Sequence, residues 1–259
     1  MGGADEAIRT AGEISWIEPP AGWLEGARAG LSCRSGGTSE SPYHSLNLGR
    51  SAGDAIESIE QNEKRFVEAM QLPQLPAKAK LEHGDRPLWV DRPGVYGWFD
   101  ALLTSEPRLP LWLTVADCVP VFLAGPGAVG LVHCGWKGTA AGVVRSTLQS
   151  LEQRGGIPPA EVRAWIGPSI GGCCYPVGAD VAARFPAEAR IVRGEGGVHL
   201  DLPLAVARAL ESAGVPAGSI ARSGLCTRCR EDLFFSYRRD GARSGRMAAV
   251  IWRDAPAAS

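Results

Sequence analysis

The grouping of strand-forming segments along the chain limits the fold more than any other feature. Six stretches are rich in β-branched and aromatic residues: Leu111 to Val115, Val119 to Leu123, Val129 to His133, Val162 to Ile166, Leu233 to Tyr237 and Met247 to Trp252. They cluster between the helical segments instead of alternating strictly with them. That pattern predicts an α+β protein, a single domain with mixed β-sheets, and not a doubly wound parallel sheet. The chain has 259 residues, enough for a sizeable core.

Three helices are expected. Asp54 offers an N-cap with Glu57 three residues on, and Ile56, Ile59, Phe66, Val67 and Met70 follow at helical spacing until Pro73. A second helix is expected from about Thr139 to Gln153, ended by Gly155. A third runs near Pro203 to Ala213, capped by Asp201. The domain boundaries are read as a flexible N-terminal segment over 1–24, one domain over 25–253 and a tail over 254–259.

Charge excludes several functions. Lys plus Arg is 27 and Asp plus Glu is 28, so no basic footprint for nucleic acid or an anionic membrane exists. No stretch reaches the apolar length of a membrane span. The opening MGGADEAIRTAGEIS lacks the apolar core of a secretion signal. Seven cysteines, an odd number, then read as reduced thiols in a cytoplasmic protein and not as a disulfide scaffold.

The chemistry-bearing residues are few. Histidine occurs only at 44, 83, 133 and 199. Cys118 sits between two apolar segments, His133 ends one, and His83 opens a His-Gly-Asp turn. Two imidazoles and a thiolate suit a borderline metal such as zinc, and three ligands with one open position is the catalytic pattern. The blander reading is a buried thiol and two separately satisfied histidines. A cysteine hydrolase, with Cys118 as nucleophile and His133 as base, would use the same residues without metal. The HCGWKGTAAG stretch places Gly135, Lys137 and Gly138 before a helix, which offers free amides and a cation to an anion or forms only a tight turn. The CTRC pair, Cys226 and Cys229, lacks a well-spaced second pair because Cys173 and Cys174 are adjacent, so ordinary thiols are expected.

Seven motifs, in order, carry a resemblance: SPYHSLNLG at 41–49, HGD at 83–85, DALLT at 100–104, ADCVPVFL at 116–123, HCGWKG at 133–138, IGPSIGGCCYPVG at 166–178 and CTRCREDLFFSYRRDGARSGR at 226–246. Together they resemble the laccase-domain or polyphenol-oxidase-like family, also described as zinc-dependent purine nucleoside phosphorylases. The resemblance implies sheets packed between helical layers, with His83, Cys118 and His133 as ligands of zinc. It implies Ser45 and Asn47 as substrate contacts. The implied activity is phosphorolysis of adenosine, inosine, guanosine or methylthioadenosine, with deamination of adenosine. Cys118 and His133 are then the catalytic candidates, and Gly135 and Lys137 the phosphate candidates. The chain departs from the family pattern at Glu63, Leu81, Cys134, Lys137 and Pro176. A copper-binding polyphenol oxidase at the same site is one alternative, although four histidines cannot furnish a full multi-copper set. A nucleoside-binding regulatory protein with reduced turnover is the other.

Overall fold

The computed structural model describes residues 6–193 and 197–255. Strands β1 (Ala7–Ala11), β2 (Ile14–Glu18) and β3 (Ala27–Ser32) precede helix α1 (Ile56–Ala69). Strands β4 (Ala77–Lys80), β5 (Pro87–Trp89), β6 (Gly94–Trp98), β7 (Ala101–Thr104) and β8 (Leu111–Val115) follow. The hairpin of β9 (Val119–Gly125) and β10 (Ala128–Cys134) leads into α2 (Trp136–Ala141) and α3 (Val143–Gly155). Then come β11 (Arg163–Ile166), β12 (Pro176–Val177), α4 (Ala179–Ala182), β13 (Arg190–Arg193), β14 (Gly197–Leu200) and α5 (Leu202–Ser212). Strand β15 (Ile220–Arg222), α6 (Tyr237–Asp240) and β16 (Met247–Arg253) close the chain.

Two mixed sheets face each other. The seven-stranded sheet has the order β1-β2-β3-β16-β8-β4-β6 and the six-stranded sheet β15-β11-β9-β10-β7-β5; β12-β14-β13 form a small third sheet. Period-two alternation sorts each strand's residues between layers. Phe122, Ala124, Val129 and Leu131 meet Leu111, Leu113, Ala249 and Ile251 between the sheets. Val121, Leu123 and Val132 point the other way, onto Leu148 and Leu151 of α3 and Val206 and Leu210 of α5. On the far side Phe66 of α1 and Met70, its C-cap, pack on Trp112, Val250 and Trp252. The order is helix, sheet, sheet, helices. Strands covered on both faces need continuous apolar sequence, which is why β8, β9, β10 and β16 read so clearly. Phe122 and Trp165 stack at 4.5 Å in the central layer. Truncating Phe122 there would cost roughly 3–5 kcal/mol.

Four expectations need correction. Residues 7–18, expected to be flexible, form β1 and β2, because Ile14, Trp16 and Ile17 bury side chains in the cores. Residues 1–5 and 256–259, within the expected flexible ends, lie outside the described residues. Leu233 to Tyr237 is no strand: the Phe234 amide donates to the Arg230 carbonyl at 2.9 Å and the Phe235 amide to the Met247 sulfur at 3.1 Å, so neither joins a ladder. The expected second helix starts earlier and is split at Gly142, whose φ of 100° interrupts the α conformation. Asp54 does not cap α1 through its side chain; one carboxylate oxygen accepts from Ser39 Oγ at 2.6 Å and Asn47 Nδ2 at 3.0 Å. Asp201 does cap α5, accepting from the Leu204 amide at 2.9 Å.

Candidate metal centre and active site

His83, Cys118 and His133 come from three separate elements of the two sheets. His83 lies in the turn after β4, in the left-handed region at φ 61°. The buried carboxylate of Asp100 holds that turn. It accepts from the amides of Glu82 at 3.3 Å, His83 at 3.0 Å and Gly84 at 2.7 Å. Asp100 Oδ1 also meets His133 Nδ1 at 2.8 Å, and the Asp100 carbonyl accepts from the His133 amide at 2.7 Å. One aspartate thus orients both histidines and leaves Nε2 of His133 as the free ring nitrogen. Burial pushes the Asp100 carboxyl up, but hydrogen bonds from His133, Gly84 and His83 outweigh it and hold the group below its ordinary range.

Cys118 immediately precedes β9 and follows Asp117, whose φ is 84°. A non-glycine residue in that conformation costs about 1 kcal/mol or more and persists only where its surroundings over-determine it. Here Asp117 accepts from Thr227 Oγ1 at 2.6 Å, Ser236 Oγ at 3.0 Å and the Arg238 amide at 2.6 Å. The C-terminal motif therefore buttresses the turn that presents Cys118.

The ligand atoms of His83, Cys118 and His133 all lie within 4.8 Å of one another. The imidazoles meet edge to face, with centroids 4.9 Å apart. Gly135 keeps space beside them: a Cβ there would sit 3.0 Å from His83 Cδ2 and 3.2 Å from Cys118 Sγ. A Cβ on Gly138 would meet the Gly84 carbonyl at 2.6 Å, so the two glycine turns pack backbone to backbone. Two nitrogens and one sulfur, with the His133 ring and the His83 turn held by Asp100, form a three-ligand set suited to a borderline divalent metal. The charges fit as well. Burial pushes the Cys118 thiol up, yet the neighbouring His133 and the hydrogen bonds from both histidines bring it down to about 6. His133 is disfavoured as a cation by burial, but the Cys118 thiolate and Asp100 raise it to about 9. Without metal, these opposed shifts favour a thiolate beside an imidazolium.

The three residues lie against a cleft of about 1410 Å³, larger than most small-molecule pockets. Glu63 and Lys78 in its wall pair at 2.8 Å, and Glu63 also binds Arg50 at 3.2 Å. Arg65 instead pairs with Glu13 at the surface. Arg238 lies over the Tyr175 ring at 4.9 Å, and Arg238 and Arg246, both in the wall, make no ion pair among the described residues. Lys137 is exposed in α2, lines the cleft and sits 5.8 Å over the Trp136 ring. Cys134 is fully buried and its thiol is pushed far up by burial, which makes it inert.

Ser45 and Asn47 are not among the residues lining the cleft. Ser45 Oγ accepts from the Gly37 amide at 3.0 Å, and Asn47 Oδ1 accepts from the amides of Gly49 at 3.0 Å and Arg246 at 2.9 Å. Buried Asn62 binds both their carbonyls, at 3.1 and 3.0 Å. Leu48, Arg50 and Ser51 face the cleft in their place. Sequence reasoning missed Asp100, Asp117, Arg238 and Arg246. The available signal was a lone acid opening or closing an apolar strand, as in DALLT and ADC.

The model of the multi-copper polyphenol oxidoreductase laccase family matches residues 28–254. The chain is 36% identical to purine nucleoside phosphorylase YlmD of Geobacillus stearothermophilus, over 92% of this chain and 94% of the relative. It is 39% identical to a purine nucleoside phosphorylase of Streptomyces coelicolor, over 89% and 97%. The crystal structure of the Geobacillus YlmD superposes with a TM-score of 0.91 at 34% identity, covering 97% of this chain and all of that one.

Proposed function

The chain belongs to the multi-copper polyphenol oxidoreductase laccase family, and on that premise we propose that it is a zinc-dependent purine nucleoside phosphorylase. The observation that carries this reading is the meeting of His83, Cys118 and His133 at the wall of a wide cleft. Bound zinc supplies a Lewis acid to that wall. Asp100 fixes the ring of His133, and Gly135 leaves room for an ion and a ligand group beside it. Inorganic phosphate is the attacking partner, and the chain must hold it in line with the ribose carbon while the purine leaves. Among the described residues Lys80, Lys137, Arg238 and Arg246 line the cleft without a carboxylate partner; Lys80 lies over the Trp98 ring, and the other three are assigned that task. Asn47 is assigned a positioning role, since it holds the backbone of Arg246.

A multi-copper oxidase needs about ten histidines around several coppers, as a matter of ligand chemistry. Here only His83 and His133 share a site, and the other cluster of metal-ligating groups among the described residues is all cysteine. Copper at the single site therefore gives at most weak oxidation of phenols. Deamination of adenosine is proposed as a minor activity of the same cleft.

The test is product analysis of the zinc-loaded protein with inosine and adenosine, with and without phosphate. Free purine and ribose 1-phosphate should form only with phosphate, and adenosine alone should give slow conversion to inosine. Nucleoside binding with no base released under any condition would replace this reading with that of a regulatory binding protein.

A further inference from the structure

Four cysteines take no part in the chemistry above and do not line the cleft. The sulfurs of Cys173, Cys174, Cys226 and Cys229 all lie within 4.8 Å of one another. We propose that they hold a second zinc ion in a closed, all-sulfur structural site, separate from the His83, Cys118 and His133 centre.

Adjacent cysteines argue against such a site on spacing alone, and the fold overturns that argument. Residues 169 and 226 form an isolated parallel bridge, which sets the two cysteine segments side by side. The Thr227 amide donates to the Ser169 carbonyl at 3.0 Å. The Cys174 amide closes a turn onto the Gly171 carbonyl at 2.9 Å, and the Arg230 amide closes another onto the Cys226 carbonyl at 3.0 Å. Gly172 lets this turn pack against β13, because a Cβ there would stand 2.5 Å from Ile191 Cδ1. Both vicinal sulfurs then reach Cys229 Sγ, Cys173 at 3.7 Å and Cys174 at 3.3 Å.

These separations decide the chemistry. Tetrahedral zinc with bonds of about 2.3 Å places its sulfurs roughly 3.8 Å apart. A disulfide needs about 2.05 Å, and all four thiols are free. Donors point at the sulfurs as they do around metal thiolates. The Gly171 amide lies 3.3 Å from Cys226 Sγ, and Arg228 Nη1 lies 3.6 Å from Cys174 Sγ. Four thiolates and one dication carry a net double negative charge, half of which the Arg228 guanidinium offsets. Binding releases the four thiol protons to solvent and forms four zinc–sulfur bonds, with no change of oxidation state. With all four positions taken by protein, the ion has no open position for substrate.

Its place in the fold gives it a task. Tyr175, next to Cys174, lines the cleft, and Thr227, next to Cys226, donates to Asp117 beside Cys118. The ion would clamp together the two segments that position one wall of the cleft.

The experiment is native mass spectrometry of the full chain, purified with zinc, beside Cys229→Ser and Cys118→Ser. The expected counts are two ions in the parent and one in each variant. Cobalt substituted into Cys118→Ser should give the spectrum of a tetrahedral all-sulfur site, and that reading needs no change to the four cysteines should Cys229→Ser fail to fold. An ion count in Cys118→Ser of zero overturns the proposal, whatever the parent holds. So does a parent in which Cys173 and Cys229 alkylate as fast with zinc as without, or in which the cluster is found as disulfides. Loss of one ion in Cys118→Ser with the other retained leaves the phosphorylase reading to be judged by product analysis alone.

Discussion

The two clusters share sulfur chemistry and differ in everything around it. His83, Cys118 and His133 supply three ligand atoms, and the fourth direction opens on a cleft. Cys173, Cys174, Cys226 and Cys229 supply four and leave none open. The first set is oriented by a buried carboxylate that binds both the His83 turn and the His133 ring. The second is set by turns and a two-residue bridge near the surface, with Cys173 and Cys229 exposed. An incomplete shell in a cleft is suited to reaction, and a complete shell at the junction of two loops is suited to holding the fold. The contrast ranks single substitutions by their effect on turnover.

The largest effect belongs to the open site. Cys118→Ser should lower kcat/KM for inosine more than about a thousandfold, the worth of several kcal/mol of Lewis-acid stabilisation, while the four-cysteine ion stays bound. Retained turnover in that variant would move the reaction elsewhere and erase the contrast. Asp100→Asn comes next. Loss of a carboxylate behind a ligating histidine typically costs 10–100-fold in metal affinity. Competition with a chelator should show that loss at one ion and none at the other; equal weakening of both would mean that Asp100 acts through general stability.

Lys137→Ala should raise the phosphate KM by roughly tenfold, as expected for one charged hydrogen bond, with zinc content unchanged. Lys137→Arg should lower it, because a planar fork grips phosphate at two points. A phosphate titration of the three proteins at saturating inosine decides, and a silent Lys137→Ala gives the phosphate to Arg238 and Arg246. Cys229→Ser should change kcat/KM by no more than about threefold at 25 °C. Its melting temperature should fall by roughly 10 °C, since loss of a structural metal exceeds about 3 kcal/mol and each kcal/mol is worth a few degrees in a chain this long. Calorimetry on parent and variant, both zinc-loaded, measures it.

What could be read from the chain follows the range of the interactions. Strands β8, β9, β10 and β16 are buried on both faces, so their apolar runs mark them directly. Helix α5 carries its own cap at Asp201 and is equally plain. Strands β1 and β2 are short, and β1 is mostly exposed, so no period betrays them. Phe234 and Phe235 look like a strand because they are buried and aromatic, but their amides bond to a turn and a sulfur. At the open site the motifs pointed to the three ligands through family resemblance. The aspartate behind them, 33 residues from His133, left only the letter D before an apolar run. The cysteine cluster was hidden for the same reason, since its pairs lie 55 residues apart and meet only through a bridge.

The smallest expected effect is an absence of slope in the metal-free protein. His133 is raised from 6.5 to about 9 in the fold, so its contribution to stability is complete below pH 6.5 and is lost as pH rises through about 9. Cys118 is lowered from 9.0 to about 6, so its contribution is complete above pH 9 and is lost as pH falls through about 6. The two windows coincide and the slopes are opposite. In proton terms, the unfolded chain at pH 7.5 keeps one proton on the thiol and none on the imidazole. The folded chain keeps one on the imidazole and none on the thiol. Equal proton counts mean that this pair adds no pH dependence between about 6.5 and 9. Zinc changes the balance, because the ion must displace the proton from Nε2 of His133. Affinity at this site should then rise about tenfold per pH unit up to about pH 9. At the closed site a hydrogen bond with Cys174 raises Cys229 to about 11 and burial raises Cys173, while at Cys174 burial is outweighed by hydrogen bonds, first that from Arg228, and the thiol is lowered. With two raised thiols to deprotonate, its affinity should climb more steeply. Zinc titrations of Cys229→Ser and Cys118→Ser at pH 6.5, 7.5 and 8.5 separate the two slopes. Equal slopes would show that Cys173 and Cys229 do not both start protonated at the closed site.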